Sequence, residues 1–334
     1  MSIYGRRKIL FVVALAVVLV LWYCISAIGD FAGIGGNSTG IYIEISSGET
    51  LKEIAVKLED NKIINHKNLF YNYAKRSYQS FQYGGHVFSS DMSYGEICRQ
   101  LSEVGIANKV KVVIPEGYEL RLIAQACENA GLFSADDFME AADDDYGYDF
   151  IKDVKGVNYS LEGFLFPATY EFDYGTSPHD VIDAMLRAFD NVYTSEFSAR
   201  AKELGMTDYE IVTLASVIER EAANAGEHKR VAGVFYNRIR DNMKLQSCAT
   251  VQYILKQRKS VLSVADTKID SPYNTYKYSG LPVGPISSPG KSAIEAALYP
   301  EDNNYYYFVA KSDGSGHVFS RTYEEHEKAV AQNQ

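Results

Sequence analysis

Apolar and polar positions change their spacing several times along the chain, and each change predicts an element. From Ile9 to Ile28 the run "ILFVVALAVVLVLWYCISAI" carries no charge and shows no period. It is about as long as a bilayer-spanning helix requires. From Ile43, alternation gives way to helical spacing in "IEISSGETLKEIAVKLEDNKII", and the same change recurs from Val112 in "VVIPEGYELRLIAQACENAGLF". The two copies align Gly48 with Gly117, Leu51 with Leu120, Ile54 with Ile123 and Ala55 with Ala124. Each predicts a strand, a glycine turn and an amphipathic helix. Between them "MSYGEICRQLSEVG" predicts one more short helix. The acidic "SADDFMEAADDDYGYDF", Ser134 to Phe150, predicts a solvated surface.

Further on, "IVTLASVIEREAANAGEHKRVAGVFYNRIRDNMKLQ" (211–246) opens as a helix whose apolar face runs Leu214, Val217, Ile218. At about 100° per residue Glu221 lies within roughly 60° of these three, while Glu219 lies on the far side with Val212, Ala215 and Ser216. A carboxyl buried against apolar neighbours keeps its proton near neutral pH and can donate it. That describes a general acid. A glutamate ending its helix in an ion pair with an arginine such as Arg238 fits the same pattern. In "LEGFLFPATYEFD" Pro167 stops regular structure, and Glu162 either points into a cleft or caps a turn. The C-terminal pattern predicts a hairpin, Tyr305 to Ala310 and His317 to Ser320 around "SDGSG", then a helix opened by a Thr322–Glu325 capping box.

Composition narrows the functions. The chain has 334 residues, 46% of them hydrophobic, enough for about two domains. A net charge of −10 and the lack of a basic stripe exclude a nucleic-acid partner. The many tyrosines suit a hydroxyl-rich ligand surface, or plain packing. Cys24 falls in the apolar run, which leaves Cys98, Cys127 and Cys248, without C-x-x-C spacing. The histidines form no H-E-x-x-H or other ligand pair, so neither a metal nor any other cofactor is expected. Arg6, Arg7 and Lys8 precede the apolar run and place the N-terminus in the cytoplasm, with everything after Asp30 outside the membrane. A cleaved signal peptide is the competing reading. The run exceeds the usual signal core, and no A-x-A site follows it.

Two resemblances add chemistry. Gly48, Thr50, Leu51, Ile54 and Ala55 make a "G-x-T-L-x-x-I-A" segment that resembles a LysM module, a class that binds N-acetylglucosamine polymers. The blocks "LASVIEREAA", "VAGVFYNRI", "MKLQSCATVQY", "SPYNTYKYSGLPVGPISSPG" and "YYYFVAKSDGSGHVFSRTYEEH" resemble, in order, the endolytic murein transglycosylase or YceG-like family. That resemblance implies a bacterial, single-pass, membrane-anchored lytic transglycosylase. Its substrate is peptidoglycan glycan, with wall-synthesis enzymes as possible partners. It places the catalytic glutamate in Ile218 to Ala222, at Glu221 by the apolar face, with Glu219 as the alternative. It also implies that Tyr273, Asn274, Thr275 and Tyr276 line the cleft, with Gln246 and Asn237 as further neutral helpers. Cys248 and Ala249 stand where the family's "L-Q-T-D-P-T-V" has Asp-Pro, and Ala168 replaces the Asp of "FPDTY". An essential role for those two acids is thereby put in doubt.

The implied reaction protonates the leaving oxygen of the β-1,4 bond between N-acetylmuramic acid and N-acetylglucosamine. The muramyl C6 hydroxyl then closes on its own anomeric carbon, giving a 1,6-anhydro end, and the deprotonated Glu221 can take that hydroxyl's proton. Two other readings stay open. One is a non-catalytic glycan-binding scaffold; the other is a hydrolytic muramidase, which needs a second carboxylate, with Glu162 the best candidate. The expected fold is α+β: a tail over 1–8, a transmembrane helix over 9–28, a flexible linker over 29–40, the LysM-like and second β-α region over 41–160, and a catalytic domain over 161–334. The length of Ile9 to Ile28 and the absent cleavage motif predict that the span is retained. N-terminal sequencing of membrane-extracted protein should begin near Met1, and a start at or after Gly29 would refute retention.

Overall fold

The computed structural model describes residues 3–77, 80–105, 109–151, 156–259 and 261–333, with side chains from residue 13 onward. The chain is α+β and forms two compact units. One holds residues 1–110, 130–133 and 171–176, the other 111–129, 134–170 and 177–334.

The first unit begins with α1 (Ile3–Ala32), whose stretch Val13–Ala32 has a mean hydropathy of 2.1 and is long and apolar enough to cross a membrane. The side chains of Arg6, Arg7 and Lys8, on which the expected orientation rests, lie outside the described residues. After β1 (Ile41–Ile45) come α2 (Leu51–Asp60), α3 (Lys67–Ser77), β2 (Gly84–Phe88) and α4 (Tyr94–Ser102). Strands β1 and β2 pair antiparallel, Ile43 opposite His86. Alternation sends Ile43 and Ile45 into a core with Ile54, Leu58, Phe70 and Leu101 and leaves Glu44 in solvent. Reciprocal bonds between Thr50 and Glu53 start α2, and Ser93 with Glu96 does the same for α4.

Helix α1 runs past Ile28 because its last turn is anchored. Asp30 accepts the N–H groups of Asn65 and His66, at 2.8 and 3.0 Å, where the chain enters α3, and also the Tyr94 hydroxyl. Phe31 meets Tyr73 and Tyr94 edge-on at 5.4 and 5.5 Å. Of the stretch 29–40 expected as a flexible linker, residues 29–32 are therefore helical. Gly36 passes so close to the 90–91 backbone that a Cβ there would stand 2.0 Å from the Ser90 carbonyl oxygen.

The chain continues through β3 (Lys109–Val113), α5 (Leu120–Asn129), α6 (Ala135–Ala141) and β4 (Thr169–Asp173), which pairs with β3. The acidic stretch is thus part helix, its Phe138 buried. The second copy of the sequence repeat, β3 with α5, turns at Gly117 (φ +76°) as the first turns at Gly48 (φ +85°). The copies part at the helix start. Where α2 has Thr50, α5 has Glu119, and the Leu120 N–H is accepted by Glu162 Oε1 at 3.0 Å instead. Glu162 is 1% exposed, and its Oε2 accepts the Tyr253 hydroxyl at 3.1 Å. Glu119 pairs with Arg121 at 2.8 Å and with the buried Arg220 at 3.4 Å. Removing one partner of a buried ion pair typically costs about 3 to 5 kcal/mol, so this bridge fixes Arg220 firmly.

Then follow α7 (Pro178–Val192), α8 (Ser195–Glu203), α9 (Asp208–Glu221), α10 (His228–Arg240), α11 (Cys248–Leu255), α12 (Lys291–Leu298), the hairpin β5 (Tyr307–Ala310) and β6 (His317–Ser320), and α13 (Tyr323–Asn333). Helix α9 is buried on every side from Ile211 to Ile218, with α8, α10, α11 and α12 around it. The far side assigned to Val212, Ala215 and Ser216 is therefore core rather than surface, as expected of a helix enclosed by others. Ser216 is tolerated there because its hydroxyl donates to the Thr213 carbonyl at 2.7 Å and accepts the Ile286 N–H at 3.0 Å.

Burial pushes the Glu162 carboxyl from 4.5 up to about 8, against the Leu120 N–H that favours its charged form. A raised carboxyl makes the folded state hold a proton that the unfolded chain has lost. Stability should therefore fall as pH rises from about 4.5 through about 8. Glu162→Gln keeps an acceptor for Leu120 and removes the titration, so its urea midpoint should decline less steeply over that window. An unchanged slope would refute the buried, protonated state.

Candidate active site

Glu221 is the last residue of α9, at the end of the helix where carbonyl groups disfavour an anion. The chain bends away at Ala222, which has extended backbone angles, and the carboxyl is left at the head of the helix bundle. Its Oε1 accepts two hydrogen bonds, from Ser247 Oγ at 2.5 Å and from the Ala249 N–H at 3.1 Å in the first turn of α11. Burial is the largest influence and raises its pKa above the ordinary value. These two donors, with smaller contributions from His317 and Arg220, pull the other way and do not win. Among the described residues no ion pair reaches Glu221, and Arg238 is engaged elsewhere, so the helix-end salt bridge does not form. With Oε1 occupied as an acceptor, Oε2 is the oxygen left to carry the proton.

Glu221 lines a cavity of about 480 Å³ together with Arg238, Gln246, Tyr276, Tyr307 and His317, among others. Glu221 is the one carboxylate among its described lining residues. Ser247 is set by Thr275, whose Oγ1 accepts the Ser247 N–H at 3.0 Å and shares a 2.9 Å bond with Thr250. Gln246 adopts φ +51°, held by a 3.1 Å bond from its N–H to the Thr275 carbonyl, and its side chain is exposed at the rim. Arg238 is buried and laces α10 to both cavity walls, donating to the Tyr306 carbonyl at 2.6 Å and the Leu245 carbonyl at 2.7 Å. The Tyr276 hydroxyl meets Cys248 Sγ at 3.0 Å. From the hairpin side, Glu227 accepts the His317 N–H at 2.8 Å and bonds its Nδ1 at 2.7 Å. Burial opposes ionisation of Glu227, yet the bonds from His317 hold its carboxyl below the ordinary range. His326 stacks on Tyr307 at 5.3 Å, and its buried Nδ1 has no hydrogen-bond partner among the described residues. Burial and the nearby Arg238 lower its pKa.

Of the site residues expected from sequence, the fold gathers Glu221, Gln246 and Tyr276 in this cavity, where His317 of the hairpin joins them. The other expected site residues do not line it. Tyr273 accepts the Asn158 N–H at 3.1 Å, and Asn274 donates to the Thr267 and Ile269 carbonyls at 3.1 and 2.7 Å. Asn237 donates to the Asn303 and Tyr305 carbonyls, each at 3.0 Å. Thr275 acts from behind Ser247, and Glu162 is sealed against α5. Glu219 is half-buried instead of solvated. Its Oε2 accepts the Gly290 N–H at 3.0 Å at the start of α12, outside the cavity lining, and burial raises its pKa. Sequence reasoning missed Ser247, Arg238 as a cavity wall, Tyr307, Glu227 and His326. A local signal existed only for Ser247, one residue from Gln246.

The YceG-like family matches residues 43–332. The chain is 35% identical over 306 residues to a Bacillus subtilis protein named endolytic murein transglycosylase, covering 88% of this chain and 84% of that one. It is 32% identical to a protein of the same name from Streptococcus pneumoniae, of which it spans 58%. A crystal structure of a YceG-like protein from Listeria monocytogenes superposes with a TM-score of 0.60 at 35% identity, covering 86% of this chain and 98% of the other. By sequence and by fold, the chain belongs to the YceG-like family.

Proposed function

We propose that the chain is a lytic transglycosylase of peptidoglycan, anchored by α1, that cleaves the β-1,4 bond between N-acetylmuramic acid and N-acetylglucosamine and leaves a 1,6-anhydromuramyl end. The observation that carries this reading is Glu221, the single carboxyl among the described lining residues, its pKa raised by burial and its Oε2 without a hydrogen bond among them. Glu221 gives its proton to the leaving oxygen. The positive charge that develops at the anomeric carbon then meets a carboxylate steadied by Ser247 and Ala249. A hydrolase activating a water needs a second carboxylate across the bond. The former candidate, Glu162, is sealed in the core, so an internal hydroxyl is the nucleophile this cavity suits. The β-α-α-β order of the first unit and its Gly48 to Ala55 segment support a LysM-like, glycan-holding role for that unit.

Full-length protein in detergent, given uncrosslinked glycan strands, should release 1,6-anhydro ends, and continue to do so in EDTA. Mass spectrometry separates these from reducing ends by one water, and reducing ends as the main product would defeat the proposal. Glu221→Gln keeps an oxygen for Ser247 and Ala249 but has no proton to give. Turnover should drop by at least about 10²-fold with the melting temperature and glycan binding nearly unchanged. A loss under about tenfold would contradict the role. Glu219→Gln keeps its acceptor for Gly290, and its activity should stay within about tenfold of the parent.

A further inference from the structure

Closing the anhydro ring requires that the C6 hydroxyl lose a proton while the leaving oxygen gains one. A second group able to carry a proton, His317, lines the same cavity as the acid. The backbone N–H and Nδ1 of His317 both bond the Glu227 carboxylate, which fixes the ring's orientation and leaves Nε2 with no partner among the described residues. The pair is well enclosed, with side chains 9% and 15% exposed. Phe308 packs edge-on to the imidazole at 5.2 Å and Phe319 at 6.2 Å, so the ring has few ways to turn. Gly316 is part of the device. A Cβ there would stand 2.4 Å from Glu227 Oε1, so glycine lets the carboxylate reach His317. The Glu227–His317 contact thus holds an oriented imidazole at the cavity wall.

We propose that His317, oriented by Glu227, is the catalytic base that accepts the C6 hydroxyl proton through Nε2, while Glu221 acts as the acid. This rests on the transglycosylase reading above. The bond from the anomeric carbon to the leaving oxygen breaks, and that oxygen takes the Glu221 proton. The bond from the anomeric carbon to O6 forms, and the O6 proton passes to Nε2. The result is an imidazolium against Glu227 and a carboxylate at Glu221. His317 is near enough for its charge to act on Glu221, and one proton returned across the cavity restores both groups. No water is consumed. Glu227 is a positioning residue, in that a carboxylate behind the ring steadies the cation it becomes.

The test uses full-length protein in detergent on uncrosslinked glycan, reading kcat, KM, melting temperature and the chemistry of the ends. His317→Gln should lower kcat by about 10²-fold with KM nearly unchanged, and Glu227→Gln should lower it by about tenfold. Added imidazole should restore turnover to His317→Ala and leave Glu221→Gln inactive. If the parent yields anhydro ends while His317→Gln keeps kcat within about threefold, the base is Glu221 itself and this proposal falls alone. If the parent yields reducing ends, the transglycosylase reading falls and takes this proposal with it. Should His317→Gln melt early, Glu227→Gln and the rescue decide: a Glu227→Gln variant at the parent rate, or a folded His317→Ala that imidazole does not revive, overturns the assignment.

Discussion

Two hydrogen bonds to one oxygen, from Ser247 Oγ and the Ala249 N–H to Glu221 Oε1, are the contact on which the site depends. A carboxyl used as an acid must be dry enough to keep its proton and yet stabilised once it has lost it. Burial at the end of α9 supplies the first condition, at the helix terminus where a negative charge is least welcome. The two donors supply the second, and because they take only Oε1 they leave Oε2 without a hydrogen bond among the described residues. Donors already in place before charge develops cost no reorganisation when it does.

Much of the surrounding structure serves to hold those donors still. Ser247 is pinned through its own N–H by Thr275, which Thr250 holds in turn, so a short chain of hydroxyls runs from the bundle to the carboxyl. Arg238 ties the 244–245 segment to β5 through carbonyl oxygens, placing Gln246 and the hairpin on opposite sides of one cavity. On the other side of α9, the Glu119–Arg220 bridge and the bond from the Gly290 N–H to Glu219 fix the last turn from which Glu221 projects. The three charged residues that end α9 thus have separate duties. Glu219 and Arg220 brace the turn, and Glu221 alone meets the cavity.

How much of this was legible in sequence follows from which interactions are local. The strand-turn-helix repeat, the α4 helix, the hairpin and its capping box are set by spacing and by residues a few positions apart, and they were read correctly. The apolar face that marked Glu221 was also local, although the helix proved buried on all sides, because neighbours far along the chain cover what a helical wheel takes for surface. Those same long-range contacts misled the site reading. "SPYNTY" is polar and resembles a cleft segment, yet the side chains of Tyr273, Asn274 and Thr275 turn inward to satisfy backbone groups, and only Tyr276 emerges. For Glu162 the sequence left a cleft and a turn cap open, because its partner, the bare N-terminus of α5, lies 42 residues away. Nothing near Glu227 announced His317, which is 90 residues distant.

The departure at Cys248–Ala249 then acquires a physical meaning. Where the family pattern has Asp-Pro, a proline at 249 would offer no N–H. Here Ala249 donates to Glu221 Oε1, so this chain gives Glu221 one hydrogen-bond donor that the Pro-bearing pattern cannot. A donor to the charged form lowers a carboxyl's pKa, and burial raises it. Without the donor, burial would be opposed chiefly by Ser247, and the proton would be held more tightly. At 248, where the resembled pattern has Asp, this chain has a thiol that meets Tyr276, so that position brings no second carboxylate beside Glu221. That absence favours ionisation as well, since a like charge nearby raises a carboxyl's pKa. Both changes push in one direction, toward an acid that releases its proton more readily, within a fold whose burial pushes in the other.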